Sequence, residues 1–181
     1  MNRLVLIDGN AILHRAYHAL PPLTAPDGSV VNAVYGFVSI LLKLFGELHP
    51  THLAVAFDRP TPTFRKKLFV AYQAKRPKME DALVSQVEKV HDVIASFGIP
   101  IYEVDGFEAD DVIGTIATRV IPAHEPGSSH AKGWIPGQAR NDKQWEIIIV
   151  TGDRDLLQLV DDHIKVFMPV KGLSEGKLFG E

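Results

Sequence analysis

The chain has 181 residues, no cysteine and a formal net charge of −3. That length can bury one α/β core. Lacking cysteine, it has no disulfides and no thiolate metal sites, but oxygen-ligated metals stay open. Acids and bases nearly balance, so any nucleic-acid binding must come from a local patch. No apolar run reaches the roughly 20 residues of a membrane span. Asp8, Asn10, His14 and Arg15 interrupt the first apolar run before it could act as a signal peptide, so a cytoplasmic protein is expected.

Leu4-Val5-Leu6-Ile7 is a short continuous apolar run closed by Asp8-Gly9-Asn10, the pattern of a buried parallel strand with a turn at its carboxyl end. Residues 20–30, with Pro21, Pro22, Pro26 and Gly28, read as a loop. Asn32 is placed to cap a helix over Ala33–Leu48, with Val34, Phe37, Val38, Leu41, Leu42 and Phe45 at helical spacing and His49-Pro50 as its end. Leu53–Phe57 is a second buried strand, followed at once by Asp58.

The strongest charge bias lies between Arg59 and Lys78. Arg59, Arg65, Lys66, Lys67, Lys75, Arg76 and Lys78 are basic, no residue is acidic, and Phe64, Phe69 and Tyr72 are interleaved. Such a run suits phosphate backbones and base stacking; a solvated helical face with aromatic core anchors would have the same composition. Met79–Phe97 is the next helix, with Leu83, Val84, Val87, Val90, Val93 and Ile94 inward and Gly98 as its stop. Ile99–Val104 is a third strand, weakened at Pro100.

Glu108, Asp110 and Asp111 then open an amphipathic helix whose apolar positions are Val112, Ile113, Ile116, Ala117 and Val120. One acid in a first turn gains about 0.3–1 kcal/mol from the helix dipole. Three so close repel unless a cation sits among them. Residues 122–144 are rich in Pro, Gly and Ser without periodicity and read as a mobile insertion, with His124 and His130 as surface residues. Glu146–Val150 is a fourth strand, followed by Thr151-Gly152-Asp153-Arg154-Asp155 and a short helix from Leu156. Ile164–Met168 is a fifth, edge-like strand, and the Gly-rich tail to Glu181 shows no closing element.

Strands alternating with helices predict parallel βαβ units with right-handed crossovers. The carboxyl ends of such strands share one edge, where open α/β sheets bind ligands. Asp8, Asp58, Glu108, Asp110, Asp111, Asp153 and Asp155 are therefore expected to converge there. Carboxylates without thiolates favour hard cations, Mg²⁺ or Mn²⁺. Two ions about 3.5–4 Å apart can clamp the attacking and leaving oxygens of a phosphoryl displacement. With the basic segment beside them, the expected chemistry is metal-dependent phosphodiester hydrolysis on nucleic acid.

Two other readings use the same residues. An aspartyl-phosphate phosphatase of the haloacid-dehalogenase kind also has an Asp after its first strand, but wants a second Asp where this chain has Asn10, and a well-placed lysine. A nucleic-acid-binding module with an incomplete acidic site would bind without cutting.

The motifs resemble those of a known family. Leu6-Ile7-Asp8-Gly9-Asn10, Asn32–Phe37, Ala56-Phe57-Asp58, Thr63-Phe64-Arg65, Tyr72 to Pro77, Gly106–Gly114 and Thr151–Leu156 match, in order, the 5′→3′ exonuclease (5′-nuclease, flap endonuclease-like) domain at the N-terminus of bacterial DNA polymerase I. The resemblance implies a PIN-like, three-layer α/β fold with a mainly parallel sheet of about five strands and helices on both faces. It implies that two divalent metals remove 5′ flaps or RNA primers from flapped or nicked duplex DNA, with metal-ligand roles for the seven acids. It also implies that Phe64 to Arg76 form part of an arch, with Arg65 and Arg76 on phosphate and Tyr72 stacked on a base.

The chain departs from the family in three places. Gln73 stands where members often carry a lysine after the tyrosine, leaving Lys75 to supply the electrostatic help together with Arg76. Residues 122–144 are an addition, of the kind loops tolerate at small entropic cost. The family continues into a helix-hairpin-helix region with further aspartates, whereas these residues end at Glu181. The expectation is thus that residues 1–181 form the N-terminal part of the domain, with weak activity alone and a polymerase domain beyond it in the same polypeptide.

Overall fold

The computed structural model describes residues 2–69, 71–72, 78–120, 145–171 and 175–180. The insertion at 122–144, Gln73, Lys75 and Arg76 lie outside the described residues. β1 (Asn2–Asp8), β2 (His52–Ala56), β3 (Ile101–Tyr102), β4 (Trp145–Val150), β5 (Ile164–Lys171) and β6 (Glu175–Phe179) form one sheet in the order β3-β2-β1-β4-β5-β6. All pairings are parallel except β5 with β6. The helices are α1 (Gly9–Ala19), α2 (Asn32–Leu48), α3 (Phe64–Leu68), α4 (Asp81–Ser96) and α5 (Ala109–Val120), with a 3₁₀ helix at Asp155–Leu159.

β1 sits near the middle because both of its faces are apolar. Val5 and Ile7 pack with Ile12, Leu13, Phe37, Leu41 and Leu44 of α1 and α2 and with Leu83, Val90 and Ile94 of α4. Leu4 and Leu6 face the other way, onto Val112, Ile113 and Ala117 of α5. The period-2 alternation of a strand thus divides one apolar run between two cores, giving the expected three layers. No helix among the described residues is long and apolar enough to cross a membrane.

Several details differ from the sequence reading. The sheet has six strands rather than about five, because the tail returns as β6 along β5. β5 is consequently interior rather than an edge. β3 keeps only Ile101 and Tyr102, although the Pro100 carbonyl still accepts from Val55 N–H at 3.0 Å. Residues 9–19, left without an element by the periodicity argument, form α1, which buries Ile12, Leu13 and Ala16. Leu42, Phe45 and Val84, expected inward, are 54%, 37% and 51% exposed, because Ile40, Leu44 and Leu48 in α2 and Gln86 in α4 take the buried positions.

Asn32 does not cap α2. It lies inside the helix, buried, donating to the Tyr17 carbonyl at 3.0 Å and accepting from Gln86 Nε2 at 3.1 Å. The cap comes from α4: Gln86 Oε1 accepts from Ala33 N–H at 2.8 Å and Val34 N–H at 3.3 Å, meeting donors that the first turn leaves unpaired. Gly98 ends α4 as expected, at φ +69°, with Gly98 N–H on Ala95 O and Ile99 N–H on Ile94 O, the paired bonds of a left-handed C-cap.

Candidate metal centre

The chain leaves β1 toward β2 on one side and later returns to β4 on the other, so the carboxyl ends of β1 and β4 flank the point where strand order reverses. Such a point leaves a crevice. Asp8 closes β1 there and caps α1: its Oδ1 accepts from Ala11 N–H at 2.9 Å, and its Oδ2 accepts from Thr151 Oγ1 at 2.8 Å. Burial pushes its carboxyl above the usual range, helped by Asp58 and Asp153, while these two hydrogen bonds pull the other way.

Gly9 makes the turn possible. A Cβ there would meet the Phe57 ring at 2.5 Å, so a larger residue would force that ring to shift where the tips of β1 and β2 lie side by side. Asp58, just past β2, donates its N–H to Asn10 Oδ1 at 3.1 Å, and its Oδ1 accepts from Ala109 N–H at 2.7 Å, capping α5. The first turn of α5 thereby brings Glu108 and Asp110 to the same edge. Asp110 is pushed up to about 7, chiefly by burial and then by Asp8, Asp153, Asp58 and Glu108. After β4, Thr151 Oγ1 accepts from Asp153 N–H at 3.0 Å, and Asp153 Oδ1 accepts from Asp155 N–H at 2.9 Å, an Asx turn that holds both acids at the rim.

These tips enclose a cleft of about 930 Å³. Asp8, Asp58, Glu108, Asp110, Asp153 and Asp155 line it together with Asn10, His14, Tyr72 and Met79, and among the described lining residues there is no lysine or arginine. Its six carboxylates are hard oxygen donors, which fits Mg²⁺ or Mn²⁺. The mutual repulsion that raises Asp110 is what a divalent ion would relieve. Among the described residues no group of three acidic or histidine side chains is already gathered closely enough to hold an ion.

Asp111, expected among the metal ligands, does not line this cleft. It takes Arg65 end-on, accepting from Nη1 at 2.6 Å and Nη2 at 2.7 Å. Arg65 holds its carboxyl below the usual range. Of the residues expected on DNA, Tyr72 reaches the cleft and its hydroxyl donates to Glu108 at 3.2 Å. Phe64 stands outside it, 38% exposed, with its ring 5.6 Å from that of Phe107. Lys75 and Arg76 fall outside the described residues. Sequence reasoning missed Thr151 and Asn10, whose side chains tie the acidic tips together. Their signal was adjacency, since Asn10 sits two residues after Asp8 and Thr151 two residues before Asp153.

Residues 3–127 match the family model described as 5′-3′ exonuclease, N-terminal resolvase-like domain. DNA polymerase I of Pseudomonas aeruginosa is 41% identical over 169 residues, 93% of this chain and 16% of that protein. DNA polymerase I of Mycobacterium tuberculosis is 38% identical over 174 residues, 95% of this chain and 17% of that protein. The chain thus spans about a sixth of the length of these relatives. Among solved structures, the T5 5′-exonuclease with bound zinc ions superposes with a TM-score of 0.62 at 18% identity, over 99% of this chain and 58% of that one. A bacteriophage T5 flap endonuclease complex with DNA and metal ions gives 0.59 at 14%, over 92% and 55%. At such identities the likeness is one of fold, the PIN-like 5′-nuclease fold.

Proposed function

Because the chain belongs to the family of 5′-3′ exonuclease N-terminal, resolvase-like domains, we propose that it hydrolyses phosphodiester bonds at 5′ flaps or 5′ ends of DNA, using two divalent ions, Mg²⁺ or Mn²⁺, held in the acidic cleft. The observation that carries this reading is the cleft itself. Six carboxylates, from the ends of β1 and β2, the start of α5 and the turn after β4, line one crevice, with no lysine or arginine among its described lining residues. Primer or flap removal in replication and repair, with a polymerase domain in the same polypeptide, is the role in keeping with the relatives named DNA polymerase I.

In this reading Asp8, Asp58, Glu108, Asp110, Asp153 and Asp155 hold the ions, directly or through water. When bound, the ions lower the pKa of an attacking water and offset charge on the phosphoryl oxygens. The protein's part is positional. Thr151 and Ala11 hold Asp8, Ala109 N–H holds Asp58, and Thr151 holds the turn carrying Asp153. Tyr72 lines the cleft, where a base of the incoming strand would stack on it. Arg65, Lys75 and Arg76 belong to the basic segment that would grip phosphates.

A nucleic-acid-binding role without cleavage is the second reading. It is favoured by the spread of the carboxylates, no group of three of which is yet gathered around an ion site. A labelled 5′-flap duplex, incubated with and without Mg²⁺, decides between the two. Cleavage that needs Mg²⁺ and is lost in Asp110→Ala supports the nuclease; binding without cleavage supports the module. Cutting that ignores both the metal and the substitution would overturn the mechanism.

A further inference from the structure

Asp111 shares the acidic stretch with Glu108 and Asp110, yet its carboxylate is fully engaged elsewhere. Both oxygens accept from Arg65, at 2.6 and 2.7 Å, and Oδ2 also accepts from Glu108 N–H at 3.0 Å. Paired end-on contacts of this kind are the strongest geometry open to a guanidinium and a carboxylate. Arg65 comes from α3, in the basic segment, 46 residues away in sequence. Its Cζ lies 4.6 Å from the Phe64 ring centroid, and its Nη1 lies 3.6 Å from Glu108, whose carboxylate also receives Tyr72 and Thr63. The Arg65 side chain is one-third exposed, and of the five N–H groups of its guanidinium Asp111 takes only two.

We propose that Asp111 is a positioning residue and not a metal ligand: it grips Arg65 by one edge, fixes α3 against the first turn of α5, and leaves the outer N–H groups of Arg65 aimed at a nucleic-acid phosphate beside the cleft. This rests on the nuclease reading above and assigns one of its acids a different task. The same contact would tie the substrate-gripping segment to Glu108, so that phosphate capture and the acidic cleft share one anchor.

Three measurements on the chain test this. In the first, Mn²⁺ is titrated calorimetrically without DNA. Asp111 touches Glu108 at the Glu108 backbone N–H and not at the Glu108 carboxylate, so Asp111→Asn should keep the affinity within about twofold of the unsubstituted chain, whereas Asp110→Asn should lose it by about tenfold or more, the equivalent of about 1.4 kcal/mol. In the second, flap-DNA binding is followed in EDTA across salt concentrations. Arg65→Gln should lower the salt slope by about 0.7–0.9, the value of one phosphate contact. Asp111→Asn should lower it equally, and the double variant no further. In the third, thermal melts of all variants identify any loss that comes from unfolding, which would depress every readout together and not the slope alone. A tenfold loss of Mn²⁺ affinity in Asp111→Asn, or additive losses in the double variant, would overturn the proposal. Failure of the unsubstituted chain to bind flap DNA would overturn the function proposed above, and the Mn²⁺ titration would still decide whether Asp111 is a ligand.

Discussion

The hydroxyl of Thr151 donates to Asp8 Oδ2 at 2.8 Å and accepts from Asp153 N–H at 3.0 Å, so one buried side chain at the end of β4 fixes two acids that the sequence places 145 residues apart. Thr151→Val keeps the shape and removes both bonds. It leaves Asp153 N–H without its acceptor and Asp8 without a donor that favours its charged form. A lost buried hydrogen bond of this kind costs about 1–3 kcal/mol. The expected outcome is a lower urea midpoint and weaker Mn²⁺ binding together, read by denaturation and calorimetry. A variant that loses neither would show that Thr151 is spectator to the cleft.

Gln86 tests the fold apart from the site. It is fully buried, and its amide oxygen caps α2 while its nitrogen bonds Asn32 and the Ala82 carbonyl. Gln86→Leu should destabilise by about 1–3 kcal/mol, because helix-end donors lose their acceptor inside the core. Metal affinity of the folded fraction should stay the same.

Gln86 also shows where sequence reasoning stops. The strands at 4–7, 53–57 and 146–150, and the aspartates at their tips, were legible because strand, turn and acid are neighbours in the chain. The convergence of those tips followed from the parallel direction of strands joined as βαβ units, whose carboxyl ends share one edge. By contrast, the cap on α2 comes from a residue 53 positions from Ala33, and the partner of Asp111 from one 46 positions away. No local pattern encodes either pairing. Asn32 had the right chemistry for a cap and sat at the right place, but tertiary packing assigned it another task. Asp111 had the chemistry of a metal ligand, and in this structure its carboxylate accepts from Arg65. β6 was missed for a similar reason: Gly176 and Gly180 suggested a loose tail, and pairing with β5 supplied the order.

Gly9→Ala probes the close approach of β1 and β2. The added methyl would meet the Phe57 ring at 2.5 Å, and Phe57 is only 3% exposed, so the ring has little room to retreat. Overpacking of this sort costs about 1–3 kcal/mol. Since Gly9 follows Asp8 directly and Phe57 precedes Asp58, the strain falls on both acids. A thermal melt should show the loss, and Mn²⁺ affinity should fall beyond what unfolding explains. Unchanged affinity in a destabilised variant would mean that the tips tolerate the shift.

Asp110 gives the site a pH signature in the metal-free protein. Its carboxyl is pushed from the ordinary 3.8 up to about 7 by burial and by the surrounding acids. The folded state therefore holds this proton more tightly than the unfolded chain does. The resulting stability is fully present below pH 3.8 and is lost as pH rises through about 7. Asp111 and Glu146 are shifted downward and act in the opposite sense, losing stability as pH falls, so the total curve is a sum. The difference between the unsubstituted chain and Asp110→Asn isolates the one group. In EDTA the variant should gain a few degrees of Tm relative to the unsubstituted chain between about pH 5 and pH 8, a shift of the size expected for about 1 kcal/mol. The gain should shrink or reverse when Mn²⁺ is added, because the cation then needs the charge that the substitution removed. A Tm difference independent of pH, or one untouched by Mn²⁺, would mean that Asp110 does not feel the other acids, and the case for a shared ion site would fail with it.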